Sequence, residues 1–359
     1  FMTSKDVHRQ KPWYLWPREL AAHLPAARET IRTKHAQLYD YYQFEQYIFQ
    51  SQWSELKGYA AEKQIQLIGD IPVYLGLDSA DVWSRQELFE LDTDTLEPFR
   101  VSGVPPDYFS TTGQRWGNPL YRWNSKEPQV QEQLIDWWCD RFTAVFKLVD
   151  VARIDHFRGF ESYWAIPATE ETAAKGTWLK GPGAAFFEKI RTRLGNLNII
   201  AEDLGEITQD VIKLRDAAGF PGMKVLQFAF DGVSDNPFLP HNFSTPHCVV
   251  YTGTHDNNTT LGWFLSEDLN DEIRKTIKKM ANRELHDSSP IHEDFIFLAL
   301  SSIAELAIIP LQDILGFGGD CRMNTPGVAN GNWMWRCAPE FLGQERAEWL
   351  AELTRRFNR

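Results

Sequence analysis

Six short apolar runs alternate with amphipathic stretches along most of this chain. The runs cover residues 67–74, 147–154, 198–204, 224–230, 248–254 and 307–312. Short runs of branched and small apolar residues are typical of buried strands, and their alternation with helical spacing is typical of parallel sheets. The pattern therefore predicts an α/β fold with six parallel strands.

The stretches around these runs predict the organisation of the chain. Residues 13–66 carry helix-like spacing of apolar and aromatic positions, so we expect residues 1–66 to form a mainly helical segment. Residues 67–359 then form the main α/β region. Its first connection is rich in Gly, Pro, Asp and aromatic residues and too long for a plain loop, which predicts a functional insertion over residues 76–135.

Three of the runs lead directly into acidic residues. Asp155 and Glu202 close the runs 147–154 and 198–204, and His255 and Asp256 follow the run 248–254. In α/β barrels the carboxyl ends of parallel strands meet on one open face, where catalysis takes place. A single acid of this kind would more often cap a helix or pair with an arginine, but three such acids favour a shared site.

The residues beside these acids suggest separate chemical roles. Cleavage of a glycosidic bond with retention needs two carboxyl groups about 5 to 5.5 Å apart, and adjacent strands lie about 4.8 Å apart. Arg153 shares a strand face with Asp155 and would favour its charged form, as a nucleophile requires. Glu202 follows three apolar residues, which would raise its pKa and keep it protonated as an acid. Asp256 and His255 could bind sugar hydroxyls.

Composition narrows the class of partner. The formal net charge is -12 and the acids are spread along the chain, which argues against nucleic acid and for a neutral or cationic substrate. Aromatic residues make up 13% and include 14 Trp, which can serve as core or as platforms for sugar rings. The sequence has no HExxH and no close His pair with zinc spacing, so we predict no metal and no cofactor.

The cysteines and the apolar content predict the compartment. The 4 Cys are far apart without a CxxC pair, which indicates reduced thiols rather than a disulfide framework. The sequence has no uninterrupted apolar stretch of membrane-spanning length, and its start does not resemble a signal peptide. We expect a cytoplasmic protein without a membrane partner, with a plastid location as the alternative.

Longer motifs give the chain a family resemblance. They are 69–74 (GDIPVY), 78–83 (DSADVW), 103–109 (GVPPDYF), 113–121 (GQRWGNPLY), 153–159 (RIDHFRG), 201–205 (AEDLG), 253–257 (GTHDN) and 322–327 (RMNTPG). Together they resemble the 4-α-glucanotransferases called amylomaltases or disproportionating enzymes, glycoside hydrolase family 77 of the α-amylase clan. The resemblance implies a TIM (β/α)8 barrel with inserted helical and loop subdomains. The family's first two barrel strands have no match here, so we expect about the first third of such an enzyme to lie outside these residues.

The resemblance also implies an activity and a set of site residues. The activity is the transfer of an α-1,4-glucanyl segment from one maltooligosaccharide or starch chain to the 4-hydroxyl of another, through a covalent glycosyl-Asp intermediate. The implied catalytic residues are Asp155 as nucleophile, Glu202 as general acid/base and Asp256 as transition-state stabiliser. The implied or candidate substrate contacts are Asp70, Arg153, His255, Trp116, Asn324, Tyr108 and Phe220.

Two points stay open at the level of sequence. Residues 219–223 resemble a mobile loop that closes over acceptor sugars, and the alternative is an ordinary turn before the next strand. The acids alone do not separate transfer from hydrolysis, because both proceed through the same intermediate. An α-amylase-like hydrolase and a catalytically inactive glucan-binding fragment therefore remain the alternatives.

Overall fold

The computed structural model describes residues 1–106, 110–267, 269–281, 290–328 and 330–359. The chain divides into two units, Phe1–Phe220 and Pro221–Arg359. The boundary predicted between residues 66 and 67 lies inside the first of these units. Within the described ranges, no helix is long and apolar enough to cross a lipid bilayer.

The first unit contains eight α-helices and seven strands among its described residues. The helices are α1 (Met2–Val7), α2 (Arg18–Ala21), α3 (Pro25–Lys34), α4 (Ala36–Glu62), α5 (Ala80–Ser84), α6 (Pro128–Leu148), α7 (Gly183–Leu194) and α8 (Gln209–Ala218). The strands are β1 (Ile68–Pro72), β2 (Arg100–Val104), β3 (Gln114–Pro119), β4 (Val151–Asp155), β5 (Ser162–Pro167), β6 (Thr177–Lys180) and β7 (Ile199–Ala201). Residues 1–66 are thus mostly helical, with Pro25 at the first position of α3, where a missing N–H costs nothing.

A parallel three-stranded sheet forms the centre of the first unit, in the order β1-β4-β7. Ala152 and Ile154 of β4 are fully buried, and all of β7 is buried, as the apolar runs predicted. Gly69 of β1 approaches Val149 so closely that a Cβ atom would lie 2.6 Å from its Cγ1. Any larger residue at position 69 would therefore require the Val149 side chain to shift.

The long connection after β1 contributes to a second, antiparallel sheet. Its order is β3-β2-β5-β6, so the insertion pairs with strands that follow β4 in the sequence. A register shift between Val101 and Gly103 bends the pairing of β2 with β3. The predicted insertion thus carries its own strands, and β3 places Trp116 in a defined position.

The second unit contains three described strands and five described α-helices. They are β8 (Gly222–Val225), β9 (Cys248–Tyr251), α9 (Thr260–Phe264), α10 (Asp271–Ala281), α11 (Ile291–Ser301), β10 (Leu306–Ile308), α12 (Leu311–Leu315) and α13 (Gln344–Arg356). The strands form a parallel sheet in the order β8-β9-β10. β10 ends earlier than predicted because Pro310, which lacks an N–H, precedes α12.

The two parallel sheets confirm the α/β class and contain six parallel strands, each of which overlaps a predicted run. The fourth prediction, residues 224–230, is displaced, because β8 already ends at Val225 and Leu226–Phe228 form a 3-10 helix. Each unit has its own apolar core. The first is rich in aromatic residues, including the fully buried Trp13, Trp138 and Phe160. The second packs Phe295 and Val250 at its centre.

Candidate active site

Strand pairing brings Asp155 and Glu202 together at one edge of the first sheet. Ile154 pairs with Ala201, so the two acids stand at the carboxyl ends of adjacent parallel strands. The pairing continues past the strands, because the Glu202 N–H donates to the Ile154 carbonyl at 3.0 Å. The next neighbour, β1, places Asp70 opposite Arg153. The structure thus places Asp70, Arg153, Asp155 and Glu202 at the carboxyl ends of three adjacent strands.

Arg153 connects two carboxylates of this cluster. Its Nη1 forms an ion pair with Asp70, and its Nη2 lies 3.4 Å from Asp155 Oδ1. The Arg153 side chain is 10% exposed, whereas the Asp155 side chain is 45% exposed. Asp155 is therefore an accessible carboxylate beside a largely buried positive charge, which favours its ionised form.

Glu202 has the opposite surroundings. Its Oε2 accepts a hydrogen bond from the His156 N–H at 2.7 Å, and its Oε1 accepts one from the Leu204 N–H at 2.9 Å. The pKa of Glu202 is raised to about 7, chiefly by burial and also by the charge of Asp155, against the lowering effects of Arg153 and of the two N–H groups. The direction of this shift is the one the sequence predicted. A carboxyl group of this kind can donate and accept a proton near neutral pH.

His156, directly after Asp155, was not singled out by the sequence analysis. It adopts a left-handed conformation with φ 53°, which a non-glycine residue rarely does and which turns its N–H toward Glu202. Burial lowers the pKa of its imidazole to about 4, so the ring is neutral at neutral pH. The sequence gives no signal for this left-handed conformation, because His156 is neither a glycine nor part of a recognisable turn motif.

Trp116 lies beside this cluster, as an aromatic sugar contact should. Its ring centroid is 4.8 Å from that of His156 and 6.2 Å from that of Tyr74. The side chain is 38% exposed, so one part of the indole is held by neighbours and the other is accessible. Such an arrangement can present an apolar platform next to Asp155.

The second unit holds a cluster of its own around Asp256. Asn324 Nδ2 donates to Asp256 Oδ1 at 2.6 Å, and Arg322 Nη2 donates to the Asp256 carbonyl at 2.6 Å. His255 Nε2 lies 3.4 Å from Asp256 Oδ2, and the His255 ring packs 5.2 Å from Trp333. The structure thus brings together His255, Asp256 and Asn324, as predicted within this unit. It also brings in Trp333, which the sequence did not predict as a site residue. The only signal for it was its position shortly after the RMNTPG motif.

Two further predicted contacts have different outcomes. Tyr108 lies outside the described residues. Phe220 is only 8% exposed and packs edge-on against Phe187 at 5.3 Å and against Phe157 at 6.1 Å. This corrects the prediction that Phe220 contacts a sugar, because its ring is committed to the core. Gly219 ends α8 with φ 77°, which fits the alternative of an ordinary turn.

Among the described residues, no group of three or more His, Cys, Asp or Glu side chains could hold a metal ion. A protonated Glu202 beside a charged Asp155 is the pair used by enzymes that cleave or transfer glycosidic bonds with retention.

An α/β fold with such a carboxyl pair is typical of enzymes that act on glycosidic bonds. A family model described as 4-alpha-glucanotransferase matches residues 1–341. The chain belongs to this 4-alpha-glucanotransferase family. The predicted family and the predicted enzyme class are thereby confirmed.

Individual relatives agree with the family model. The chain is 47% identical to a 4-alpha-glucanotransferase of Synechocystis over 360 residues, covering 100% of this chain and 70% of the relative. It is 44% identical to a 4-alpha-glucanotransferase of Thermus thermophilus over 362 residues, covering 99% of this chain and 71% of the relative. A solved amylomaltase from Streptococcus agalactiae in complex with acarbose superposes with a TM-score of 0.93 at 38% identity, covering 100% of this chain and 71% of that one.

Proposed function

We propose that the chain catalyses retaining transfer of α-1,4-glucanyl segments between maltooligosaccharide or starch chains. In the first step Asp155 attacks the anomeric carbon while Glu202 protonates the departing glycosidic oxygen. In the second step Glu202 accepts a proton from the 4-hydroxyl of an acceptor glucan, which displaces Asp155 from the covalent intermediate. The anomeric configuration is inverted twice and therefore retained.

The observation that carries this proposal is the contrast between two acids on adjacent strands. Asp155 is accessible and lies beside Arg153, whereas burial raises the pKa of Glu202 to about 7. The nucleophile must be charged and the acid must be protonated at the same pH, which these two environments favour. Asp70 would complete the site as the second partner of Arg153.

Asp256 is proposed as the transition-state stabiliser. Its carboxylate is oriented by the Asn324 amide and flanked by His255, which suits it to bind sugar hydroxyls as the ring flattens. Trp116 would stack on a sugar ring near Asp155. In this proposal residues 67–359 contribute to a (β/α)8 barrel, and residues 1–66 add an inserted subdomain.

The net charge and the cysteines support the proposed substrates and location. α-1,4-Glucans are neutral, so they suit a chain whose net charge is -12. The described cysteines Cys139, Cys248, Cys321 and Cys337 are all free thiols, which supports a reducing compartment such as the cytoplasm.

Transfer requires strong discrimination against water. Water is present at about 55 M and an acceptor glucan at about 1 mM, so efficient transfer needs a preference of roughly 10⁴ to 10⁵, or about 6 kcal/mol. Incubation with maltotriose tests this directly. We expect glucose and a ladder of longer maltooligosaccharides, without a net rise in reducing ends. A rise in reducing ends would instead identify a hydrolase, and binding of maltotriose without any product would identify an inactive glucan-binding fragment.

A further inference from the structure

The second unit contains a buried carboxylate that the proposed reaction does not use. Asp313 in α12 is 1% exposed. Its Oδ2 accepts hydrogen bonds from Thr252 Oγ1 at 2.5 Å and Thr260 Oγ1 at 2.7 Å, and its Oδ1 accepts one from the Thr260 N–H at 2.7 Å. Thr252 and Thr260 are both fully buried. Burial raises the pKa of Asp313, and these three donors oppose the rise.

The two threonines stand at the two ends of one loop. Thr252 directly follows β9 and Thr260 is the first residue of α9, so residues 253–259 form the connection between them. This connection carries His255 and Asp256. A single carboxylate from the neighbouring α12 therefore holds both ends of the loop that presents the proposed transition-state stabiliser.

The remaining contacts of the loop shape its interior. Asn257 Oδ1 accepts from the Thr254 N–H at 2.9 Å and from Thr254 Oγ1 at 2.8 Å. Gln227 Nε2 donates to the Asn258 carbonyl at 2.9 Å. The Thr254–Asn257 bonds fix a local turn. Gln227, Arg322 and the Asn324 N–H hold the middle of the loop from other segments, whereas Asp313 holds its two ends.

We infer that Asp313 is a positioning residue for Asp256, acting through Thr252 and Thr260. Hydrogen bonds to a charged acceptor are about twice as strong as neutral ones, and a buried carboxylate is costly unless it is fully hydrogen-bonded. A catalytic group must be held within about 0.5 Å of its productive position, and a displacement of about 1 Å can cost roughly 100-fold in rate. The inference rests on the role proposed above for Asp256.

The central test combines Asp313→Asn with Asp256→Asn. The asparagine keeps an acceptor for the Thr260 N–H, but its NH₂ group cannot accept from the two hydroxyls. We expect Asp313→Asn to lower kcat for maltotriose about 10- to 100-fold, with KM changed less than about threefold. In the Asp256→Asn background the same substitution should have almost no further effect, because the group being positioned is already lost.

A matched pair at Thr252 keeps the test valid if Asp313→Asn folds poorly. Thr252→Val removes one hydrogen bond at nearly constant volume and should lower kcat about tenfold, whereas Thr252→Ser keeps the hydroxyl and should restore it. Glu293→Gln serves as the control, because it breaks an ion pair with Arg346 in the same unit and should leave kcat unchanged. Amide hydrogen exchange should accelerate in residues 253–259 in Asp313→Asn and Thr252→Val, but not in Glu293→Gln.

The outcomes separate this inference from the proposed function. If Asp256→Asn keeps near-normal turnover, the role of Asp256 is wrong and the inference fails with it. If Asp256→Asn loses turnover but Asp313→Asn and Thr252→Val do not, only the inference is overturned. Additive losses in the Asp313→Asn/Asp256→Asn double variant would also overturn it, because they indicate a general structural role.

Discussion

The two units hold their acidic residues by different physical means. In the first unit, Asp155 and Glu202 are surrounded by the Arg153 guanidinium, by each other and by peptide N–H groups. In the second unit, the Asp256 carboxylate accepts a hydrogen bond from the neutral Asn324 amide and lies beside the His255 ring. The first arrangement sets protonation states, whereas the second sets position. We therefore expect the first cluster to respond to charge and pH, and the second to respond to geometry.

The largest effect is expected at the proposed nucleophile. Asp155→Asn removes the charged oxygen that would form the covalent intermediate, so turnover should fall by about 10⁴-fold or more while glucan binding is largely kept. Steady-state kinetics with maltotriose and calorimetric binding measure the two effects. Asp150→Asn is the control, because Asp150 lies just before the other end of the same strand, where it accepts the Leu67 N–H. Near-normal turnover in Asp155→Asn would exclude Asp155 as the nucleophile.

The second effect concerns the proton carried by Glu202. Its pKa is about 7, so the protonated form that the first step needs disappears above that pH. In the wild type kcat/KM should fall about tenfold per pH unit above pH 7, and Glu202→Gln should lower it by about 10²- to 10⁴-fold and abolish this fall. Glu206→Gln, a substitution of a nearby exposed acid, should keep the wild-type profile. If kcat/KM of Glu202→Gln still fell above pH 7 as in the wild type, that fall would have to be assigned to another titrating group.

The same shift has a consequence for stability. The folded-state pKa of Glu202 is raised from 4.5, so its neutral form is favoured in the folded protein. The contribution of neutral Glu202 to the free energy of unfolding is fully present below pH 4.5 and is lost as the pH rises through 7. The Glu202→Gln variant should therefore lose less stability than the wild type between pH 5 and pH 8, because glutamine does not titrate. Thermal unfolding at a series of pH values measures this difference.

The third effect tests the geometric character of the second cluster. Asn324→Ala removes the hydrogen bond that orients Asp256, and a bond to a charged group contributes about 1.5 to 3 kcal/mol. We expect kcat to fall about 10- to 100-fold while the pH dependence of kcat/KM keeps its wild-type shape. Asn242→Ala is the control, because that amide donates only to the Ser234 and Asn236 carbonyls among the contacts described in the same unit. If kcat/KM of Asn324→Ala began to fall at a different pH, the second cluster would also affect the protonation of the catalytic acid.

The fourth effect compares the aromatic residues of the two clusters. Each cluster packs a tryptophan against a histidine beside its acid, with Trp116 near His156 and Trp333 near His255. Trp116→Ala and Trp333→Ala should each raise KM about five- to tenfold with kcat changed less than about threefold, since stacking contributes about 0.5 to 1.5 kcal/mol. Trp178→Ala is matched to Trp116 in exposure, at 37% against 38%, and should leave KM unchanged. A fall in kcat alone would argue against sugar stacking.

The sequence predicted the strands and the acids because both are local signals. A branched apolar run followed by Asp or Glu is visible in single residues, and the parallel order of strands fixes where such acids meet. The conformation of His156 and the burial of Phe220 are not local. His156 is held at φ 53° by its bond to Glu202 from another strand, and Phe220 is buried by Phe157 and Phe187, which are distant in sequence. Tertiary contacts decide such features, so an aromatic residue in a glycine-rich turn cannot be assigned to core or site from its neighbours.

The smallest effect on activity is expected at Phe220, where the structure replaces a predicted sugar contact with a core residue. Phe220→Leu keeps an apolar side chain but loses ring contacts with Phe187 and Phe157, so it should lower the free energy of unfolding by about 1 to 2 kcal/mol. KM and kcat should stay within about twofold of the wild type at temperatures where the variant is folded. Chemical denaturation and maltotriose kinetics on the same sample measure both quantities. A raised KM with an unchanged free energy of unfolding would indicate that Phe220 contacts substrate. A residue that acts only in the core should lower the free energy of unfolding when its ring is removed.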